Sequence, residues 1–248
     1  MDFIIPDWPA PSNVKSLQTV RTGGVSAAPY DSLNFGTHVK DNPINVARNM
    51  QLLSHYLPSE PVWLNQTHGV QVVDAATASC TPDADASCAN KKHVVCATMT
   101  ADCLPILLCD TAGTVVAAVH AGWRGLCDGV IEATITKMIS SYEIQSTNLM
   151  AWLGPGIGRN AFEVGEDVRQ QFITKDAQAE SAFSYNGNKW HGDLYQIARQ
   201  RLHAQGVAQI YGGSFCTYSD SQRFFSFRRD GDTGRMTTLI WLTSRETS

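Results

Sequence analysis

The 248-residue chain has no Cys-x-x-Cys pair, no excess of basic charge and no unbroken apolar run long enough to cross a membrane. Each absence removes a class of protein. Its seven cysteines (Cys80, Cys88, Cys96, Cys103, Cys109, Cys127 and Cys216) are odd in number and lack paired spacing. That argues against a secreted disulfide framework and a zinc ribbon, and for a reducing, cytoplasmic setting. Taken one by one, most cysteines are expected to be small buried hydrophobes. With a net charge of −4, the surface is not expected to attract nucleic acid or membrane non-specifically, although a local basic pocket remains compatible with it. The N-terminus has no positive charge before its short apolar run, which Pro6 and Asp7 end early, so it does not read as a signal peptide or anchor. The longest apolar stretch, Leu104 to Trp123, contains Asp110, His120 and the turn-like Asp110-Thr111-Ala112-Gly113. It reads as two buried strands and a turn.

What is present is an ordinary globular composition, 43% apolar and 17% charged, which places the chain well away from disorder. Strands and helices alternate. Strands are expected at residues 17–21, 61–65, 69–74, 93–99, 105–110, 114–120 and 148–153, and three more close the chain at 208–211, 224–228 and 236–242. The Asp230-Gly231-Asp232-Thr233-Gly234 turn is expected to join the last two as a hairpin. Near-continuous apolarity in the central strands predicts sheets covered on both faces. Helices are expected after Asn42-Pro43, a cap and first-turn pair, and at 128–142 and about 166–172. Another is expected from Asp193, with Gln196 three residues on, until Gly206. Ala75 to Lys92, rich in Ala, Ser, Thr, Asp and Asn, reads as loop. No linker, repeat or low-complexity tract divides the chain, so residues 1–248 are expected to form one α/β domain.

Three segments put metal-competent side chains where strands break: Asn65-Gln66-Thr67-His68-Gly69, Thr100-Ala101-Asp102-Cys103-Leu104-Pro105 and Val119-His120-Ala121-Gly122-Trp123-Arg124-Gly125. Function gathers at such junctions because loops are exposed while the scaffold holds them. Imidazole nitrogen and thiolate sulfur are zinc donors, and three protein ligands leave a fourth position for water, the arrangement of a catalytic site. His68, Cys103 and His120 would make three. Their separations match no zinc finger, so tertiary structure would have to assemble them, and by spacing alone three ordinary structural residues are the better reading. The glycines around Trp123 and Arg124 precede a helix, whose N-terminus with Arg124 could meet an anion. A tight turn with Trp123 in the core and Arg124 in solvent is the plainer alternative.

In order along the chain, these segments occur with Arg21-Thr22-Gly23-Gly24-Val25-Ser26, Ser32-Leu33-Asn34, Gly154-Pro155-Gly156-Ile157-Gly158, Phe162-Glu163-Val164-Gly165, Cys216-Thr217 and Phe225-Ser226-Phe227-Arg228-Arg229. Together they resemble the YfiH-type family, also called laccase-domain or polyphenol oxidase proteins and peptidoglycan editing factors, over nearly the whole chain. The resemblance implies mixed β-sheets packed together and flanked by helices, and a zinc site on His68, Cys103 and His120. It also implies phosphorolysis of adenosine, inosine, guanosine and methylthioadenosine, with adenosine deamination in the same site. No residue here argues for a peptidoglycan role beyond that family label.

Phosphorolysis needs phosphate behind the ribose C1′, and arginine's fork matches two phosphate oxygens. Arg21 and Arg124 are candidates, and after them Arg228. Deamination needs an activated water, which zinc can supply, and a carboxylate to carry the proton. Asp102 is nearest in sequence, with a loop cap or partner of a metal ligand as its alternative role. Gln66 and Asn34 are candidates for hydrogen bonding the nucleoside. Two other chemistries use the same residues. A His-Cys-His set also suits copper, but the chain has no His-x-His pair for a further copper cluster. Cys103 with His120 or His68 could form a thiol hydrolase, which would exclude resting zinc on the same thiolate.

Overall fold

A computed structural model describes residues 2–78 and 80–244; Met1 of the N-terminal reading and Ser79 of the expected loop lie outside them. In chain order the strands are β1 (Phe3–Ile4), β2 (Val14–Thr19), β3 (Pro61–Val62), β4 (Val72–Asp74), β5 (Ala86–Ala89), β6 (Val95–Thr100), β7 (Leu104–Asp110), β8 (Val116–Ala121), β9 (Leu149–Leu153), β10 (Glu163–Val164), β11 (Phe183–Tyr185), β12 (Trp190–Gly192), β13 (Gln209–Gly212) and β14 (Met236–Leu242). The α-helices are α1 (Pro43–Ser54), α2 (Trp123–Asp128), α3 (Val130–Tyr142), α4 (Glu166–Lys175), α5 (Leu194–Ala204) and α6 (Phe227–Asp230).

The strands form two large mixed sheets, ordered β1-β2-β14-β6-β3 and β13-β9-β7-β8-β5-β4, and a small antiparallel one, β10-β12-β11. Alternation along the central strands explains how the large sheets stack, because successive side chains point to opposite faces. On β8, Val116 and Ala118 enter the core between the sheets, while Ala117, Val119 and Ala121 face the cluster containing Ile131, Ile135 and Met138 of α3 and Ile197, Ala198 and Leu202 of α5. On β14, Ile240 and Leu242 face the inter-sheet core, while Leu239 and Trp241 pack in the cluster with Leu53 of α1. The layers are therefore helix, sheet, sheet, helices, and the expected double coverage of the central strands holds.

The helix starts follow local chemistry. Asn42 accepts the Ile44 N–H with Pro43 in the first turn of α1, and Asp193 accepts the Gln196 N–H at the start of α5. Three expectations need correction. The segment read as loop contains β5, whose four side chains are fully buried between β4 and β8; small residues suit that space although they are poor strand formers in isolation. The helix expected at 128–142 is broken at Gly129, whose φ of 104° ends α2 and begins α3. Residues 224–228 form no strand: Ser226 caps the short α6, and β14 pairs with β2 and β6 rather than closing a hairpin.

Candidate active site

The chain crosses from one large sheet to the other between β6 and β7, and Cys103 sits on that crossing. His120 lies near the end of β8, directly opposite Pro105 in the β7–β8 register. His68 comes from the loop between β3 and β4. These distant segments bring one donor atom each from His68, Cys103 and His120 within 4.8 Å of one another. Cys103 Sγ lies 3.8 Å from His68 Nε2, and the two imidazoles meet edge to face with centroids 4.8 Å apart. Zinc bonds of about 2.0 Å to nitrogen and 2.3 Å to sulfur hold tetrahedral donors roughly 3.3–3.6 Å apart. The cluster thus fits a metal ion with little movement.

Asp85, which the sequence reading missed, organises this cluster. Its carboxylate is fully buried. Oδ1 faces His120 Nδ1 at 2.8 Å and accepts the His68 N–H at 2.9 Å; Oδ2 accepts the N–H of Gly69 at 2.7 Å and that of Thr67 at 3.2 Å. The His120 N–H donates to the Asp85 carbonyl at 2.7 Å. One carboxylate therefore fixes the His120 ring so that Nε2 faces the cluster, and steadies His68 in a left-handed backbone conformation with φ 61°. Although burial opposes it, the hydrogen bonds from His120 and Gly69 hold Asp85 below the usual carboxylate range. The missed signal was the acid itself, standing where a histidine ligand needs a partner; its small-residue surroundings disguised a buried strand.

Close approach around the cluster depends on glycine. A Cβ at Gly122 would come 2.7 Å from His68 Cδ2 and 3.1 Å from Cys103 Sγ, and one at Gly125 would come 2.7 Å from the Gly69 carbonyl oxygen. In the metal-free protein, burial pushes the Cys103 thiol up, but His120 by charge and hydrogen bond, and then His68, bring it down to about 6. Burial likewise disfavours imidazolium at His120, but Cys103 and Asp85 raise it to about 9. The pair thus carries a proton on His120 and a thiolate on Cys103, the deprotonated form that a metal takes.

The cluster opens into a cavity of about 500 Å³. Trp123, Phe162 and Phe227 line it, as do Gln66, His38, Asp102, Arg124, Arg228 and Arg235. Arg124 is exposed and its guanidinium stacks 4.5 Å from the Trp123 ring centroid. The plainer alternative holds in part: Arg124 is solvated, while Trp123 packs against the core cluster and also lines the cavity. Arg228 donates through Nη1 to the carbonyls of Ala161 and Glu163. Gln66 is on the wall, yet its amide is committed to β6, accepting the Met99 N–H at 2.7 Å and donating to the Met99 carbonyl at 2.8 Å.

Three expected site residues take other roles. Arg21 lies outside the cavity, where Nε and Nη2 donate to Asp31 and Nη1 to the Ser221 carbonyl. Asn34 is fully buried and does not line the cavity; its Oδ1 accepts the N–H groups of Gly36 and Arg235. Asp102 is on the wall, but Oδ1 accepts from Thr217 Oγ1 and Oδ2 from the Arg228 N–H, both at 2.6 Å. That carboxylate is bound as a brace for its own turn, which has φ 87°. A proton shuttle would require freeing it; of the alternatives, these bonds are those of a loop cap rather than of a partner to a histidine of the cluster. His38 and Arg235 were missed because neither falls in a recognisable motif.

Known proteins share this architecture and sequence. The profile of the family described as multi-copper polyphenol oxidoreductase laccase matches residues 15–243. The chain is 52% identical over 243 residues to a protein of Escherichia coli (strain K12) named purine nucleoside phosphorylase YfiH, covering 97% of this chain and 98% of the relative. It is 50% identical over 242 residues to purine nucleoside phosphorylase PA4543 of Pseudomonas aeruginosa, with coverage of 97% and 98%. The crystal structure of Neisseria meningitidis protein NMB0706 superposes with a TM-score of 0.93 at 50% identity, over 98% of this chain and 100% of that one. That of YlmD from Geobacillus stearothermophilus superposes at 0.92 with 26% identity, over 98% and 97%. The chain belongs to the YfiH-type, laccase-domain family.

Proposed function

We propose that this chain is a cytoplasmic, zinc-dependent purine nucleoside phosphorylase acting on adenosine, inosine, guanosine and methylthioadenosine, which also deaminates adenosine. The observation that carries this reading is the make-up of the cavity. A three-donor metal cluster, three aromatic side chains and three arginines line one space, and the single acid on its wall among the described residues, Asp102, has both oxygens occupied. A purine offers an aromatic face, and phosphate an anion, to match. The names of the relatives from E. coli and P. aeruginosa, purine nucleoside phosphorylases, support a purine nucleoside and phosphate as substrates.

In phosphorolysis a phosphate oxygen bonds to the ribose C1′ as the C1′–N9 bond breaks. The bonding pair leaves with the purine, which takes up a proton, and ribose 1-phosphate is the other product. The aromatic side chains can hold the base, and the arginines can orient phosphate and keep its charge beside the sugar. His68, Cys103 and His120 are the proposed zinc ligands, and bound zinc would supply Lewis acidity for phosphorolysis and for the water that deamination consumes. Seven free cysteines fit a reducing compartment, and no helix among the described residues is long and apolar enough to cross a membrane.

The test is to incubate purified protein with adenosine, with and without phosphate, beside Cys103→Ala and His120→Ala. Adenine with ribose 1-phosphate only when phosphate is present, inosine in either case, and neither from the variants is the expected result. Neither adenine nor inosine from the parent would sink the reading. A second reading has an observation behind it. The Cys103 thiolate beside protonated His120 is also how a thiol hydrolase activates its nucleophile. Fast alkylation of Cys103 in metal-loaded protein would favour it over zinc.

A further inference from the structure

Of the arginines that the sequence offered for phosphate, Arg124 and Arg228 line the cavity and Arg21 does not, and a further arginine on the wall is built differently from these. Arg124 and Arg228 are exposed, whereas Arg235 is half-buried. Among the described residues no carboxylate lies within ion-pair distance of Arg235, while Arg21, Arg201, Arg223 and Arg229 each have one and Arg169 has two. A sunken cation without a counter-ion costs stability unless something else meets it. The surroundings instead fix its position. Its N–H donates to Asn34 Oδ1 at 2.8 Å, and the Phe35 N–H donates to its carbonyl at 3.0 Å. Nη1 donates to the carbonyls of Thr233 and Gly234 at 2.9 and 3.1 Å. Gly36 lies so close to the stem that a Cβ there would come 2.9 Å from Arg235 Cγ. Nε and Nη2 make no hydrogen bond to any described residue; Arg235 lines the cavity that holds the metal cluster, with its guanidinium carbon 5.9 Å from the centroid of the Phe227 ring, which lines it too. A fixed fork with one free edge is the geometry that grips two oxygens of a tetrahedral anion.

We propose that Arg235 is the phosphate-holding residue of this cavity, its Nε and Nη2 edge receiving two oxygens of inorganic phosphate. Asn34 then acts on the substrate at one remove, by holding the backbone of Arg235. The assignment rests on the phosphorolysis reading for its purpose but not for its test, because anion binding is measurable without turnover.

Zinc-loaded parent, Arg235→Gln, Arg235→Lys and Arg21→Gln are compared in two ways. Equilibrium dialysis measures retention of inorganic phosphate, and inosine cleavage gives separate KM values for phosphate and inosine. The expected result is that Arg235→Gln loses phosphate retention and raises the phosphate KM by about tenfold or more, with the inosine KM within about twofold of the parent. Arg235→Lys, which keeps the charge and loses the fork, falls between, and Arg21→Gln follows the parent. Arg235→Gln that melts with the parent and retains phosphate as the parent does overturns the proposal. So does a parent that retains no phosphate in dialysis. If the parent retains phosphate, Arg235→Gln does not, and no nucleoside is cleaved, the function reading fails and the anion site stands.

Discussion

Asp85 bears on two of the three proposed ligands at once, through the His120 ring and the His68 backbone. Asn has the same shape but one oxygen fewer, so it cannot accept all of these donors. Asp85→Asn is expected to weaken zinc binding by about 10–100-fold, the usual effect of losing a partner behind a histidine ligand. Competition with a chelator of known affinity measures it, and an unchanged zinc affinity would mean that Asp85 is an ordinary buried acid. Cys103 gives a second prediction at this scale. In metal-stripped protein its thiol titrates at about 6. Since the thiolate is the reactive form, iodoacetamide should alkylate Cys103 readily at pH 7 and slow as the pH falls below about 6, where the thiol keeps its proton. Added zinc should protect it. Peptide mass spectrometry follows both, and a rate that begins to rise only near pH 9 would contradict the ion pair.

The cluster exists because elements from both large sheets converge where β6 hands over to β7. The turn there is braced from behind. The Ile157 N–H donates to the Asp102 carbonyl at 2.8 Å, and Tyr195 Oη on α5 accepts the Gly156 N–H at 2.8 Å with the Gly154 and Phe215 carbonyls each 3.0 Å away. Tyr195→Phe removes a buried hydroxyl that holds this loop, and is expected to lower stability by about 1–3 kcal/mol, seen as a lower urea midpoint. An unchanged midpoint would show that the loop holds itself. Elements also mark how far the sequence could be read. Capped helices such as α1 and the long apolar strands β7, β8 and β14 were legible because cap chemistry and burial leave strong local patterns. β5 was not, because Ala86–Ala89 owes its conformation to neighbours on both sides rather than to propensity. The aromatic run before α6 misled for a related reason: Phe224 and Phe225 are buried as strand residues would be, but in the irregular segment between a turn and α6. The three ligand candidates were legible only as strand-end residues in matching motifs. Arg235 and Asp85 had no motif to announce them, and Arg21 sat in one while serving a surface ion pair.

Over the whole molecule, charge is distributed against the average. A chain with a net charge of −4 places three arginines around one cavity, beside His68 and His120, so an anion meets locally favourable potential in an otherwise acidic protein. The same view bears on copper. A His-Cys-His set alone does not separate copper from zinc, and among the described residues His68, Cys103 and His120 form the one cluster able to hold a metal ion. An electron-transferring oxidase needs further centres, whereas a Lewis-acid enzyme needs one. The most direct measurement is therefore inosine cleavage in phosphate by protein stripped of metal and then given zinc or copper separately. The account predicts that stripping abolishes the formation of hypoxanthine and ribose 1-phosphate and that zinc restores it. Cleavage that survives complete stripping, or that returns with copper and not with zinc, would contradict it.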